Sequence, residues 1–556
     1  MSNAARLALA ALLMVSVSVL ALPSLASAGG WKFQPTINAP WAQGGEDEDL
    51  DAADASSGLC RSSQFTGANP YASTTNVDVI TGDPINNTGV SNFGCTTPQN
   101  ETSVAVNPLN AANLVAGSND YRTCCDFTGL NDGTGWAYAS FDGGATWTNT
   151  QVPGLTAETG GHGLFAKVDS AGDPALAFGP DGTVYYANIV FSRVSFASGV
   201  AVSTSTDGGR TWSQPSMVTW ANAGNHFNDK EWIAAGPNGS VVVTWTDFNL
   251  GPQAAGYRQS PIVMALSRDG GKTWVRQGSP VSDPFHPFDQ GSQPMFDSHG
   301  TLYVAYEGSD PATGFATDQT VVARSTDLGQ TFTQMQVGQV FDDLDCYPVY
   351  GGRQTLTGEH FRMNSYPSLA VDLATGALAV TWADDEGAGS CGHHGSSFTG
   401  TTNAQLKLVT SANGTSWGSV QHLGAGDVVF PAVAQYNGKT IVTYYTRAFA
   451  ATQGNPTLCN VQTVPSGAAV TEGVPSANIC LDYAYRSSTD GYASEHAITT
   501  ESSNPSIEFA QGTFIGDYSQ VAMGSNGIAH PVWTDFRGRP GVTRANQDVY
   551  TQSITP

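Results

Sequence analysis

An eight-residue phrase recurs along the chain, and it constrains the fold more than any other feature of the sequence. Each full copy has Asp at its third position, Gly at its fifth, Thr at its seventh and an aromatic residue at its eighth. The full copies occupy 140–147, 205–212, 267–274 and 325–332. A shortened copy follows at 411–417, and a degraded one begins at Ser488. A short phrase that returns at regular intervals predicts repetition of one structural unit.

The residue types of this phrase predict a hairpin turn. An Asp carboxylate accepts hydrogen bonds from backbone N–H groups two or three residues further on, which fixes a turn. The second Gly can adopt a positive φ without a Cβ clash, as a bulged hairpin loop requires. The Thr then begins the next strand, and the aromatic ring packs against the neighbouring hairpin. Each copy therefore predicts a connection between two antiparallel strands.

A second repeat alternates with the first and consists of a short buried strand, a Gly turn and an aromatic-rich strand. Its seven copies open at Glu101, Asp173, Glu231, Gln293, Tyr366, Phe430 and Tyr518. The hairpin phrase follows each of the first six copies. Only 12% of residues are charged, Gly accounts for 63 of 556 residues, and apolar residues show no sustained helical period. This pattern predicts an all-β protein made of many short strands.

The residues of the hairpin phrase match those of the Asp-box, or BNR, repeat. The chain therefore resembles sialidases and their β-propeller relatives through most of its length. The resemblance implies that the phrase lies at the rim of each blade, away from a central cleft. The four Asp residues concerned would then be structural: Asp142, Asp207, Asp269 and Asp327.

Seven strand pairs predict a seven-bladed β-propeller of four-stranded antiparallel blades. A six-bladed ring, as in sialidases, is the alternative and requires one strand pair to be an insertion. The seventh pair is followed by a single further strand before the chain stops. Propellers remove an exposed edge by completing the last blade with an N-terminal strand. Asn76–Ile80 is the segment predicted to do so.

The N-terminal region predicts export. An apolar run from Leu7 to Leu22 ends near Ala26-Ser27-Ala28, a pattern typical of signal-peptide cleavage, which makes 1–28 a signal peptide. Residues 29–59 include an acidic block and are interpreted as a flexible linker, and 60–556 as the propeller. We expect a secreted protein without a membrane span. The net charge of −25 argues against a nucleic-acid partner, because phosphate binding depends on Lys and Arg.

Eight cysteines in an exported chain indicate disulfides. Cys459 and Cys480 flank one loop and are predicted to close it. Cys346 and Cys391 bracket another stretch. Cys60 and Cys95 precede the first hairpin phrase, where the adjacent pair 124–125 would tie them down. The sequence lacks the paired Cys-x-x-Cys spacing that is typical of a zinc site. The acidic loops would accommodate a structural calcium ion, and no other cofactor is expected.

Polar residues gather where the first strand of each pair begins and the second ends. In a propeller these positions converge on the mouth of the central channel. The set comprises Glu101, Asn119, Asp120, Arg122, Asp173, Asp229, Lys230, Glu231, Asp247, Glu307, Arg362, Tyr366, Asp384, Asp385, Glu386, Arg447, Asp517, Tyr518, Asp535 and Arg537. The alternative interpretation is that these side chains bind strand ends and line a wet channel.

The resemblance to sialidases implies roles for part of this set. Glu231 with Tyr518 (or Tyr366) would supply the nucleophile pair, and Asp173 or Asp517 the acid. Four arginines would grip a substrate carboxylate, with two acids beside them as further binding residues: Arg122, Arg362, Arg447, Arg537, Asp535 and Asp247. The Phe/Tyr-Arg-Ile-Pro motif of sialidases is missing, because 94–107 contains no arginine. These roles are therefore assigned by position in the ring and not by motif.

The sequence favours a secreted, sialidase-like glycoside hydrolase acting on an extracellular glycan or glycoprotein, as a monomer. Glycoside hydrolysis needs an acid of raised pKa and a second carboxylate or a tyrosine nucleophile, and the ring contains all three residue types. A non-catalytic propeller that binds glycans or proteins is the first alternative, favoured by long insertions at 386–402 and 447–485. A polysaccharide lyase is the second, because a cation and a Tyr base would suffice.

Overall fold

The computed structural model describes residues 64–66, 76–81, 98–122, 133–251, 258–315, 317–341, 347, 349–350, 353–359, 361–386, 402–424, 426–449, 459, 479–505, 514–537 and 547–556. The predicted signal peptide, the acidic linker and six of the cysteines lie outside these ranges. Cys459 and Cys480 form the predicted disulfide. No helix in the described ranges is long and apolar enough to cross a membrane.

Strands are numbered in chain order, and two short ones come first: β1 (Gln64–Thr66) and β2 (Val77–Asp78). Blade 1 contains β3 (Gln99–Val106), β4 (Leu114–Asp120), β5 (Thr134–Ser140) and β6 (Thr148–Gln151), with β1 on its outer edge. Blade 2 contains β7 (Ser170–Phe178), β8 (Val184–Phe191), β9 (Ser198–Ser205) and β10 (Ser216–Ala221). Blade 3 contains β11 (His226–Ala235), β12 (Val241–Asn249), β13 (Ile262–Ser267) and β14 (Val275–Pro280).

Blade 4 contains β15 (Asp289–Phe296), β16 (Leu302–Ser309), β17 (Asp318–Ser325) and β18 (Thr333–Val340), followed by a small hairpin of β19 (Val349–Tyr350) and β20 (Arg353–Gln354). Blade 5 contains β21 (Ser368–Val371), β22 (Leu378–Asp384), β23 (Gln405–Ser411) and β24 (Gln421–Gly424). Blade 6 contains β25 (Val429–Tyr436), β26 (Lys439–Thr446), β27 (Asp482–Ser487) and β28 (His496–Ala497). Blade 7 contains β29 (Gln520–Met523), β30 (Ala529–Asp535) and β31 (Asp548–Thr551). Short 3-10 turns lie at Phe165–Lys167, Pro237–Gly239, Pro311–Thr313 and Ser488–Asp490.

The blades form a closed ring, which confirms seven blades and not six. The first strand of every blade packs against the first strand of the next, and β29 of blade 7 packs against β3 of blade 1. These first strands therefore surround the axis. The fourth strand of blade 7 is β2, whose Val77 and Asp78 lie opposite Thr551 and Tyr550 of β31. The segment assigned to closure from the sequence thus completes the last sheet.

The core lies between the blades, because each sheet is covered on both faces by its neighbours. Every residue of the second strands β4, β8, β16, β22 and β30 is buried. Large aromatic side chains fill the space between adjacent sheets, among them Trp136, Trp245, Trp382 and Trp533. Sheets buried on both faces favour such continuous apolar and aromatic runs over strict alternation, as the aromatic-rich repeat predicted.

The hairpin phrases connect the third strand of a blade to the fourth. In blade 1, the Asp142 carboxylate accepts bonds from the backbone N–H of Thr146 (2.9 Å) and from its hydroxyl (2.6 Å). The Ser140 hydroxyl, and not the Asp, holds the N–H of Gly144 at 2.9 Å. The same arrangement recurs at Asp207, Asp269 and Asp327. At Asp207 the carboxylate accepts from the N–H groups three and four residues further on, so the predicted bond to the third residue is confirmed and a bond to the fourth is added.

Candidate functional site

A β-bulge marks the start of the axial strand in five blades. The register of the first strand against the second shifts at this point in blades 1, 2, 3, 4 and 6. The bulged residue has a positive φ in each case, and these residues are Glu101, Asp173, Lys230, Gly291 and Phe430. Positive φ costs a non-glycine residue roughly 1–3 kcal/mol, and such strain concentrates at functional sites.

The bulges correct the alignment of the second repeat. The sequence repeat predicts Glu231 and Gln293 as the counterparts of Glu101, but the bulged positions are Lys230 and Gly291. A bulge inserts one residue into a strand, so that residue types alone do not fix the register across it. The residue of blade 3 that occupies the same position as Glu101 is therefore a lysine.

Lys230 is the centre of a buried ion cluster on the axis. Its Nζ lies 2.7 Å from Asp173 Oδ2, 2.7 Å from Asp517 Oδ2, 3.3 Å from Glu101 Oε1 and 3.9 Å from Asp229 Oδ1. The Lys230 side chain is only 5% exposed. Burial disfavours the charged ammonium, yet the surrounding carboxylates outweigh it and raise the pKa of Lys230 well above its ordinary value. Residues of blades 1, 2 and 3 and of the loop before blade 7 thus meet at one cation.

Arg362 adds a second cation from the opposite side of the ring. Its Nε and one terminal nitrogen bind the two oxygens of Asp517 at 2.8 and 2.7 Å, a bidentate pair. Burial alone would raise the pKa of Asp517, but Arg362 and Lys230 outweigh burial and hold that pKa well below its usual range. Asp517 is therefore an ionised carboxylate throughout the neutral range.

Arg362 belongs to a short segment that we term the axial strap, residues 361–366, which leads into blade 5. The Phe361 ring packs on Phe430 of blade 6, and the Asn364 amide donates to the backbone oxygen of Asp517 at 2.9 Å. The Tyr366 hydroxyl donates to Gln290 of blade 4 at 2.6 Å. A Cβ on Gly291 would overlap the Tyr366 ring, which explains a glycine at this bulge. The strap therefore connects blades 4, 6 and 7 across the ring.

Glu101 is the carboxyl group of blade 1 in the cluster and is fully buried. Its Oε2 accepts from the Asn119 amide at 2.8 Å, and its Oε1 accepts from the backbone N–H of Asp517 at 3.1 Å. Burial raises the pKa of Glu101 well above its ordinary value, and the nearby Asp173 raises it further, while Lys230 acts in the opposite direction. The pKa values of Glu101 and Asp517 are therefore shifted in opposite directions although both groups contact one ammonium.

Glu231, the next residue after the lysine, is also buried, with 1% of its surface exposed. Neither carboxyl oxygen has a hydrogen-bond partner among the described residues. Burial raises the pKa of Glu231 well above its ordinary value, and Asp173 is the next largest contribution. Burial without a hydrogen-bond partner disfavours the charged carboxylate relative to the protonated group.

Two half-buried tyrosines lie beside the cluster. Tyr518 packs edge to face against Trp232, with ring centroids 5.2 Å apart. Burial raises the pKa of Tyr518 well above its ordinary value, and the carboxyl groups of Glu101 and Asp173 add to the effect. Burial also raises the pKa of Tyr366, and the Asp517 carboxylate raises it further. Both phenols are therefore neutral, which favours contact or hydrogen bonding over nucleophilic attack.

The structure brings together the four residues for which catalysis was predicted. Asp173 and Asp517 bind Lys230, while Tyr518 and Glu231 both lie within electrostatic range of Asp173. Glu101 and Lys230 were counted in the ring without a role. Both stand near the start of an axial strand, but only the bulge shows that Lys230, and not Glu231, occupies the position of Glu101.

The predicted binding residues are dispersed, apart from Arg362. Arg122 binds Asp120 and stacks 4.2 Å over the Trp136 ring, fully buried. Arg447 binds Asp427 and Glu359.

The three remaining predicted binding residues are paired within the ends of their own blades. Arg537 binds Asp535 and lies over the Tyr550 ring. Asp247 is paired with the His226 ring nitrogen at 2.8 Å. A grip formed by several arginines on one ligand remains a prediction.

No family model matches the chain, and no curated protein matches it. Among solved structures, a Dyadobacter fermentans protein of unknown function is 15% identical with a TM-score of 0.40, covering 69% of this chain and 95% of that one. A Hadza microbial sialidase is 16% identical with a TM-score of 0.39, covering 68% and 65%. An α-L-arabinofuranosidase from Fusarium graminearum is 11% identical with a TM-score of 0.36, covering 69% and 92%. These similarities are too distant to assign an activity to this chain.

Proposed function

We propose that this protein is a secreted, glycan-acting β-propeller that hydrolyses glycosidic bonds with the carboxyl groups around Lys230. The observation that carries the proposal is a geometric one: Glu101 and Asp517 both contact Lys230 Nζ, at 3.3 and 2.7 Å, and their surroundings move their pKa values in opposite directions. Separate pKa values for two neighbouring carboxyl groups are what acid and base roles require. The N-terminal signal pattern and the Cys459–Cys480 disulfide support secretion.

Glu101 is the proposed proton donor and Asp517 the proposed ionised partner. Their oxygens lie 3.3 and 2.7 Å from Lys230 Nζ, so they are no further apart than the sum of these distances. Carboxyl groups of retaining glycosidases are about 5–5.5 Å apart, against about 6.5–9.5 Å in inverting enzymes. The distance limit therefore favours the retaining class.

The proposed reaction has two balanced steps. Glu101 transfers its proton to the leaving glycosidic oxygen while the Asp517 carboxylate forms an ester bond to the anomeric carbon. A water molecule then cleaves this ester, its proton returns to Glu101 and Asp517 is regenerated. Lys230 and Arg362 orient Asp517 and keep it ionised. Compared with the roles implied by sialidases, Asp517 changes from acid to carboxylate nucleophile, and Glu231 holds a proton where a base was expected.

The half-buried residues around the cluster would meet the sugar first. Tyr366, Tyr518 and Asn364 are only partly covered, whereas Glu101 and Lys230 are buried. Aromatic rings offer an apolar face with a polar tip, which suits the mixed surface of a sugar. The axial strap carries two of these residues and contributes Arg362, so that substrate contact and carboxylate orientation depend on the same segment.

The test is a release assay on the mature protein with a panel of fluorogenic glycosides. The wild-type protein should release the fluorophore from at least one sugar, and Asp517→Asn should lower kcat/KM about 10²-fold or more, because the attacking group is lost. Asp327→Asn, at a hairpin of the rim, is the matched control and should retain the wild-type rate. Failure of the folded wild-type protein on the whole panel, or equal losses in both variants, would contradict the proposal.

A non-catalytic binding propeller is a second candidate, and one observation favours it. Both oxygens of Glu101, both oxygens of Asp517 and the Lys230 ammonium are bound within the protein. A cluster with this many internal bonds can serve to hold blades together. Glycan binding without product release, measured by calorimetry and the same fluorogenic panel, would select this function.

A further inference from the structure

The arginine next to the carboxyl cluster, Arg362, is already bound to a carboxylate of the protein. Arg362 presents two nitrogens of its planar fork to Asp517, the geometry with which an arginine would otherwise hold a substrate carboxylate. A ligand anion that approached this guanidinium would first have to replace a buried carboxylate. Removing one partner of a buried pair leaves an uncompensated charge, which is strongly unfavourable.

The lysine of the cluster, Lys230, is likewise bound to carboxyl groups of the protein. Lys230 contacts four carboxyl groups, two of them at 2.7 Å, and its side chain is buried. The cluster therefore contains more carboxyl groups than cations, and its net charge is not positive even with Glu101 protonated. A cluster with this charge repels a carboxylate or a sulfate and raises the free energy of transferring one from water to the site.

The other three predicted arginines do not change this balance. Arg122 is closed off by Asp120, Arg447 by Asp427 and Arg537 by Asp535. In the described part of the ring, each of the four predicted grips thus already binds a carboxylate of the protein.

From these pairings we infer that the sugar bound at this site is neutral and carries no carboxylate or sulfate on the ring that is cleaved. Ionised carboxylates accept hydrogen bonds, and sugar hydroxyls donate them, so that a neutral polyol complements this cluster where an anion does not. The half-buried Tyr366, Tyr518 and Asn364 add uncharged contacts. This inference rests on the proposed function, since it names the substrate class of the same site.

The experiment uses pairs of probes that differ in one charged group. The mature protein is titrated and assayed with 4-methylumbelliferyl β-D-glucoside against the glucuronide, the galactoside against the galacturonide, and a sialoside methyl ester against the free sialoside. An α-L-arabinofuranoside and an α-L-fucoside extend the neutral set. We expect binding and kcat/KM to favour the neutral member of each accepted pair by at least 10-fold. The preference should shrink at high salt, because screening weakens the repulsion.

Asp517→Asn sharpens the test through binding alone. The substitution releases Arg362 and reduces the negative charge, so that the ratio of neutral to anionic affinity should fall about 10-fold or more relative to the wild type. Asp327→Asn changes the same net charge at the rim and should leave the ratio unaltered. Circular dichroism and a melting curve verify that both variants are folded.

The outcomes separate this inference from the proposed function. Turnover limited to the glucuronide, the galacturonide or the free sialoside would overturn the inference and retain hydrolysis. Neutral binding without turnover would retain the inference and overturn hydrolysis. Binding to no member of the panel would overturn both.

Discussion

The rim and the axis of this propeller use aspartate in opposite ways. At the rim, Asp142, Asp207, Asp269 and Asp327 make the same hydrogen bonds in four blades. These bonds lower the pKa values of Asp269 and Asp327 to about 2, in turns open to water. At the axis, equivalent positions hold different residues in each blade, and burial moves their pKa values in both directions.

The difference between the rim and the axis indicates which positions serve folding and which positions meet another requirement. A turn that must form in every blade favours the same solution each time, so that its residues repeat. Glu101, Asp173, Lys230, Gly291 and Phe430 share one backbone conformation, yet they share no chemistry. A position whose backbone repeats while its side chain does not is a better candidate for function than a fully repeated one.

The largest effect is expected from a substitution that breaks the axial cluster. Lys230→Met removes the ammonium and leaves Asp173 and Asp517 without their common partner. We expect the free energy of unfolding, measured by urea titration, to fall by about 3–5 kcal/mol. Lys272→Met, at an exposed hairpin of the rim, should change it by less than about 0.5 kcal/mol. Similar values for the two variants would mean that the axial cluster is no more important to stability than a surface turn.

The next effect concerns the axial strap. Gly291→Ala places a methyl group against the Tyr366 ring at a positive φ, whereas Gly278→Ala has a similar φ and open space around its Cβ. Overpacking costs about 1–3 kcal/mol beyond the backbone strain that both variants share. Gly291→Ala should therefore unfold at lower urea concentration than Gly278→Ala. Equal midpoints would show that the strap does not press on this bulge.

A gain in stability is expected at Glu231. Its pKa is raised in the folded protein, so the folded state binds the extra proton and stability falls as the pH rises from the ordinary carboxyl range through the raised value. Glu231→Gln removes this loss and should increase the free energy of unfolding at pH 8 by about 1–3 kcal/mol, with little change at pH 4.5. Parallel urea titrations at the two pH values measure it. A loss of stability at pH 8 would instead indicate that the carboxylate is required.

The smallest effect is expected at the rim, where the substitution lowers stability instead of raising it. The pKa of Asp327 is lowered in the folded protein, so its contribution to stability is present above the ordinary carboxyl pKa and is lost as the pH falls towards about 2. Asp327→Asn should lower the melting temperature slightly at pH 7 and not at all near pH 2. A pH-independent change would mean that the turn depends on shape and not on charge.

The fold was predictable because its signals repeat. Turn residues return in several copies, and a strand pair stands between each two, so that an ambiguity in one blade is resolved by the others. The closing segment near Val77 was predictable because the last blade lacked a strand. The axial site offered no such redundancy. The bulge that turns Lys230 towards the axis depends on a backbone conformation that most of these residue types do not signal, and the pairing of each arginine depends on distant segments.

The closure of blade 7 by β2 has a consequence for biogenesis. The sheet that seals the ring joins Val77 and Asp78 to Tyr550 and Thr551, so that it cannot be completed until β31 has been synthesised. During synthesis β2 therefore has no partner strand until the six blades that precede β31 in the chain have been made. Without β31, both β2 and β30 lose the strand that lies between them, so that blade 7 would keep an open sheet edge and the ring would not be sealed.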